Sequence, residues 1–303
     1  MIFRPAAAVQ LSVGADRVLQ LSEMMRADQS VTNSAIRKHY DRLSILYRTF
    51  WGDHIHHGLW EHARTAKEAQ IALIERLAAK AKIQPGWHVL DVGCGLGGSS
   101  IWLAQNLACS VLGVTISPVQ LDIAKRRAFR QRVAGQVQFR LEDANFLTYE
   151  NSFNCVWIIE CSEHLFDKAD FLRRAAAALR PGGVLALCAW VMSDGPLADS
   201  GRDLIARVCH GMLCPSLGTN REYCQWITDA GLCLRTSDDI TAAVSKTWDV
   251  CRNITEKPVV REILKNAESD TLQFVAAFSD IAHAYAGGLM GYGMFTAVKE
   301  RPS

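Results

Sequence analysis

No run of about 18 apolar residues, the length that spans a bilayer, occurs anywhere in this chain of 303 residues. Charge of one sign is scarce as well, with 33 Lys and Arg set against 31 Asp and Glu for a formal net charge of +2. Polyanion-binding proteins usually carry a marked basic excess on one face, so a nucleic-acid partner is not expected. The run Lys125-Arg126-Arg127 falls on a predicted helix, where it reads as a solvated face. Met1 to Gln10 holds one Arg, a few alanines and no apolar core of secretory length, so it is not expected to be a signal peptide. Ten cysteines are present, but none forms a CxxC pair, and Cys155 and Cys188 lie inside apolar runs. A disulfide framework is therefore not expected. Zinc is not expected either, because His54-Ile55-His56-His57 has no Cys or His partners at ligand spacing. These absences point to a cytoplasmic protein with free, mostly buried thiols and no metal.

What is present suits a globular protein. Hydrophobic residues make up 49% and charged residues 21%, enough to bury a full core. The first 30 or so residues show a weak helical pattern (Val18, Leu19, Leu21, Met24, Met25). Apolar positions at Ile36, Tyr40, Leu43, Leu46, Tyr47 and Phe50 predict a helix over Asn33 to Phe50, and a second is predicted over His62 to Ala81. After Pro85-Gly86, strands and helices alternate. Strands are predicted at 87–92, 110–115, 137–141, 153–159 and 184–191. Ser117-Pro118 opens one intervening helix with a Ser cap and Pro at its first position, and another runs from Asp167 to Leu179. Short connections between alternating elements predict a parallel sheet covered on both faces. Further helices are predicted at 204–212, 222–230, 248–266 and 271–285, with a short strand at 232–236 and a closing one at 293–298.

The segment Asp91-Val92-Gly93-Cys94-Gly95-Leu96-Gly97-Gly98 follows a strand and opens a helix, which is where a nucleoside-binding loop belongs. Glycines permit the tight turn and let a ligand approach the backbone. NAD and FAD enzymes use such a turn too. Here, however, Asp91 stands at the strand end before the first glycine, placed to orient the loop or meet an ammonium group. The segment resembles the first motif of class I S-adenosylmethionine-dependent methyltransferases. Further matches follow in order: Gly113-Val114-Thr115-Ile116-Ser117-Pro118-Val119-Gln120, then Glu142-Asp143-Ala144, then Arg180-Pro181-Gly182-Gly183. Most such enzymes place a carboxylate near Thr115 for the ribose; this chain lacks it there, leaving Thr115, backbone groups at Ile116 or Gln120 to serve.

Three other pieces resemble the γ-tocopherol methyltransferase-like small-molecule branch of that class: Trp51 to Gly58, Thr115 to Gln120, and Glu160-Cys161-Ser162-Glu163-His164-Leu165-Phe166-Asp167-Lys168. The closing Tyr292 to Thr296 fits the same branch. The resemblance implies a doubly wound, mostly parallel seven-stranded α/β sheet with a helical cap. Residues 1–82 would form a helical segment and lid, 83–191 the cofactor-binding core, 192–290 the acceptor cap with one core strand near 232–237, and 291–303 the last strand and tail. The implied cofactor is S-adenosyl-L-methionine, with S-adenosyl-L-homocysteine as product. Its implied contacts are Tyr40, His57, Asp91, Gly93, Gly95, Gly97, Thr115, Ile116, Gln120, Asp143, Ala144 and Glu160.

Side chains at the carboxyl ends of parallel strands project into the ligand crevice. Glu163 and His164 are accordingly the candidate catalytic pair, His164 suited to take a proton near neutral pH. Its other reading is a structural residue bonding backbone. His56 and His57 are weaker candidates for the same role, and Trp51 and Trp60 could line an acceptor pocket. The expected reaction is methyl transfer to a small phenolic, quinol-like, indole or amine acceptor. Carbon methylation of a prenyl or polyene chain is the alternative, with Phe146, Trp157, Trp190, Trp226 and Glu163 to stabilise a cation. A third reading is a cofactor-binding protein that transfers no methyl group.

Overall fold

A computed structural model describes residues 31–301. The weak helical pattern between Val18 and Met25 lies outside the described residues. The elements are α1 (Asn33–Leu46), α2 (Ala66–Lys80), β1 (His88–Val92), α3 (Gly98–Leu107), β2 (Ser110–Thr115), α4 (Pro118–Arg130), β3 (Val137–Leu141), β4 (Phe153–Ile159), α5 (Lys168–Ala178) and β5 (Leu179–Met192). Beyond them come α6 (Asp199–Gly211), β6 (Gly218–Thr219), α7 (Asn220–Asp229), β7 (Cys233–Asp239), α8 (Thr241–Val244), α9 (Lys246–Thr255), α10 (Pro258–Lys265), α11 (Ser269–Ala286) and β8 (Met290–Val298).

The strands form one sheet in the order β3-β2-β1-β4-β5-β8-β7, parallel except where β8 runs antiparallel between β5 and β7. The seven expected strands are joined by an eighth, the two-residue β6 beside β5. Alternation within strands feeds two cores, one on each face. In β4, Cys155, Trp157 and Ile159 pack on one side while Val156 and Ile158 pack on the other. Strand order reverses between β1 and β4, and in doubly wound sheets the crevice beyond the carboxyl ends of such strands is where ligands bind. Asp91 pairs with Trp157 in register, which brings the glycine loop after β1 and the Glu160 turn after β4 side by side.

Local chemistry moved several expected boundaries. α1 stops at Leu46, and a π-helical turn, Tyr47–Trp51, carries the chain into the loop at Gly52. The helix predicted from His62 begins at Ala66, because Thr65 and Glu68 form a capping box that fixes its start. The single helix expected over 248–266 is two, since Pro258 has no N–H to continue α9 and instead opens α10. The basic run on α4 is not uniformly solvated: Arg127 is only 5% exposed. Its guanidinium donates to the backbone oxygens of Leu96 in the glycine loop and Asp53 in the loop after α1, and pairs with the Asp53 carboxylate at 3.1 Å.

None of the helices among the described residues is long and apolar enough to cross a membrane. All ten cysteines are free. Among the described residues no group of three or more His, Cys, Asp or Glu is placed to hold a metal ion.

Candidate active site

The glycine loop is held by the sheet beneath it: the N–H groups of Gly93 and Cys94 both donate to the Val114 carbonyl at 3.0 Å. Gly93 has φ of +72°, and a Cβ there would stand 2.5 Å from the Cys161 side chain, so only glycine fits beside the β4 turn. Gly95, at φ +52°, differs: a Cβ there would meet nothing closer than the Gly93 oxygen at 4.0 Å. The crown of the loop is open, as a ligand lying against its backbone requires. Asp91 is buried and accepts from the Ser100 hydroxyl, so it ties β1 to the start of α3. Burial raises its pKa to about 6 despite that bond.

At the end of β2, Thr115 donates to the Gln120 side-chain oxygen at 2.9 Å, and Ile116 lies between them in the turn to α4. Sequence reading missed Asp41. From α1, its carboxylate accepts from the Ser117 hydroxyl at 2.6 Å, bringing an acid to the strand end that lacks one of its own. Past β3, Asp143 accepts from the Asn33 amide at 2.6 Å and from the Asn145 backbone N–H at 2.9 Å, with Ala144 buried beside it. α1 thus lies across the ends of β2 and β3, anchored at Asn33 and Asp41.

The turn after β4 places two glutamates in opposite surroundings. Glu160, itself at φ +52°, receives on Oε1 the His57 backbone N–H at 2.6 Å and the Tyr292 hydroxyl at 2.7 Å; His57 Nδ1 lies 3.0 Å away. Burial alone would raise its pKa, but the His57 interactions, with His56 behind them, draw it down to about 2. Glu163, 2% exposed, receives only the Trp190 N–H, on Oε1 at 2.6 Å, and its buried Oε2 has no partner among the described residues. Burial, with Glu160 nearby, pushes it up to about 8, so Glu163 is a neutral acid at pH 7.

His164 is gripped on both sides: Nδ1 lies 3.0 Å from the Leu213 carbonyl and Nε2 lies 2.7 Å from the Tyr40 hydroxyl. Since Nδ1 can only donate to a carbonyl, Nε2 accepts and Tyr40 donates. Burial lowers the imidazole pKa.

Tyr40, His56, His57, Glu160, Glu163 and His164 line one pocket with about 1200 Å³ of empty space. Trp190, Trp248, Phe274 and Phe278 supply aromatic lining, and Val260, Ile263 and Leu264 of α10 add aliphatic lining. Asp91, Gly93, Gly95, Gly97, Thr115, Ile116, Gln120, Asp143 and Ala144 fall outside this lining, along the strand ends next to it. Of the two tryptophans considered for the pocket, Trp51 lines it; Trp60 faces a separate cleft with Lys246 over its ring. The aromatic set considered for a cationic intermediate does not assemble. Trp190 and Glu163 meet, but Phe146 is 66% exposed, Trp157 is wholly in the core and Trp226 packs against Gly218.

An open glycine crown, a carboxylate after β3 and the buried Glu160 at the turn beside the loop fit S-adenosylmethionine. The fold and site define a class I S-adenosylmethionine-dependent methyltransferase. Residues 27–229 match the family described as mycolic acid cyclopropane synthetase, and the chain belongs to that family. It is 32% identical over 220 residues to 27-O-demethylrifamycin SV methyltransferase of Amycolatopsis mediterranei (strain S699), covering 72% of this chain and 80% of that one. It is 28% identical over 298 residues to the chloroplastic tocopherol O-methyltransferase of Arabidopsis thaliana, covering 90% and 85%. Among solved structures, the [4+2]-cyclase SpnF superposes with a TM-score of 0.80 at 22% identity, over 92% of this chain and 99% of that one.

Proposed function

We propose that the chain transfers a methyl group to an uncharged small organic acceptor through a phenolic or quinol-like hydroxyl, with indole or amine nitrogen as the related case. The observation that carries this reading is the pocket lining. It holds no Lys or Arg, two glutamates, and walls of aromatic and aliphatic side chains. An anionic acceptor would have to shed its water there without a cation to meet it, at a cost of several kcal/mol by the order of such desolvation. The named acceptors of the two relatives above, an O-demethylrifamycin and a tocopherol methylated on oxygen, support oxygen as the receiving atom.

When bound, S-adenosylmethionine supplies a methyl group on a sulfonium, already a good leaving group. The protein's work is alignment, exclusion of water and management of the acceptor's proton. In this reading Gly93, Gly95 and Gly97 pass along the cofactor, while Thr115, Ile116, Gln120, Asp143 and Ala144 hold its nucleoside end. Asp91, Glu160, His57 and Tyr40 surround the amino-acid end. Glu163, neutral at pH 7, donates a hydrogen bond to the acceptor rather than removing its proton. His164 fixes the Tyr40 phenol against it. The division into an N-terminal lid, a core, an acceptor cap and a final strand is kept with this reading, as is a cytoplasmic location.

Carbon methylation of a prenyl or polyene chain is the second reading, favoured by the unpartnered Glu163 oxygen beside Trp190. Methyl-labelled S-adenosylmethionine, offered with phenols, quinols, indoles, amines, neutral prenyl compounds and prenyl diphosphates, separates the two. Label on a neutral hydroxyl, with stoichiometric S-adenosylhomocysteine, is the expected result. Label on a prenyl carbon moves the assignment to the second reading, and transfer to a diphosphate overturns the charge argument. Cofactor binding without S-adenosylhomocysteine release from any of them would favour a non-transferring protein.

A further inference from the structure

Four histidines line the pocket, and in three of them Nε2 lies within hydrogen-bond distance of a tyrosine hydroxyl. His164 Nε2 accepts from Tyr40, His57 has Glu160 at 3.0 Å and the Tyr285 hydroxyl at 3.3 Å, and His39 Nε2 lies 3.2 Å from the Tyr47 hydroxyl. His56 is different. Its Nδ1 lies 2.7 Å from the His57 carbonyl, which fixes that nitrogen as the N–H donor. Nε2 is therefore a lone pair, buried, and without a partner among the described residues. His56 lines the pocket, and its imidazole is set in one tautomer by the backbone with its basic nitrogen unspent, as a general base requires.

We infer that His56, rather than His164, takes the acceptor's proton. This rests on the reading of the pocket as the site of methylation on an ionisable hydroxyl. The acceptor O–H bond breaks with its proton passing to His56 Nε2. The oxygen's electron pair forms the new O–C bond, and the pair of the cleaved C–S bond stays on sulfur as S-adenosylhomocysteine leaves. The imidazolium so formed keeps its Nδ1–H on the His57 carbonyl and has the ionised Glu160 close by. The groups near His56 are His54 and His57 on its own loop and Glu160 from the β4 turn; Glu163, Tyr40 and His164 share the pocket lining with it. Burial lowers the His56 pKa, and Glu160 offsets part of that. The base is thus neutral at pH 7, and turnover is lost only as pH falls below the ordinary histidine value of about 6.5.

Two measurements test the inference. In nitrogen-15 histidine spectra of the wild-type protein with S-adenosylhomocysteine, His56 is expected at pH 7 as the neutral Nδ1–H tautomer. A protonated Nε2 there overturns the assignment without any variant having to fold. In turnover, His56→Gln is expected to lose about 100-fold with an ordinary phenol and its acid limb with it. It should lose under about 10-fold with a nitrophenol already ionised at the assay pH, and hold S-adenosylhomocysteine within about twofold by calorimetry. An acid limb that survives in His56→Gln but vanishes in Tyr40→Phe returns the proton to the Tyr40–His164 pair. A wild-type protein that methylates no phenol at all sinks the acceptor reading instead, which the spectra distinguish from failure of the His56 assignment.

Discussion

In the proposed reading, the donor side of the crevice and the acceptor pocket are built by different rules. On the donor side, short stretches at 91–97, 115–120 and 142–144 each bring several groups to a strand end, and backbone does much of the holding. The acceptor pocket draws on residues scattered from His39 to Phe278, meeting through tertiary packing. Glu160 and Glu163 sit at the seam, three residues apart. One is saturated with donors and ionised down to about 2; the other is starved of them and held neutral up to about 8. Burial is common to both, so partners, not depth, set the charge of a buried acid.

The largest effect that would break this division lies on the donor side. Gly95→Val puts a branched side chain into the open crown and is expected to weaken S-adenosylhomocysteine binding by 100-fold or more, read by calorimetry. The left-handed backbone adds a stability cost of roughly 1–2 kcal/mol, so a melt should still be cooperative. Unchanged affinity would remove the loop from the donor site. Next comes the Tyr40–His164 bond in the pocket. His164→Ala is expected to lower turnover by roughly 10- to 100-fold with donor affinity retained. Because the two residues act as a unit, Tyr40→Phe/His164→Ala should be little worse than either single change; additive losses would mean they act apart.

Glu163 comes last, with an effect read in stability rather than in binding or turnover. Its folded pKa is raised, so between the unfolded value of about 4.3 and about 8 the native state holds a proton that the unfolded chain has released. Stability contributed by that proton is full below this window and declines as pH rises through it. Glu163→Gln keeps an oxygen for the Trp190 N–H and should flatten this part of the melting-temperature profile. A variant with the wild-type slope would place the titration elsewhere.

How much of this could be read in the chain beforehand follows the same division. The glycine loop, the strand alternation and the Ser117-Pro118 start are local patterns, and their positions in space follow from the parallel sheet they belong to. The pairing of Tyr40 with His164, 124 residues apart, has no local signature. Nor has Arg127, where a charge run reads as solvated because nothing in α4 announces that the loop at Asp53 will cover it. Asp41 was hidden similarly, lying on a helix read for its apolar face alone. Pro258 is different, since a proline inside a predicted helix is a break signal that the sequence carries openly.

The Arg127 guanidinium reaches the backbone oxygens of Leu96 in the glycine loop and of Asp53, three residues before His56, with one nitrogen, and the Asp53 carboxylate with another. That single rivet makes the two halves of the site parts of one mechanical unit. A shift of either loop is therefore transmitted to the other through one buried cation, so the loop that carries His56 cannot open without loading the glycine turn.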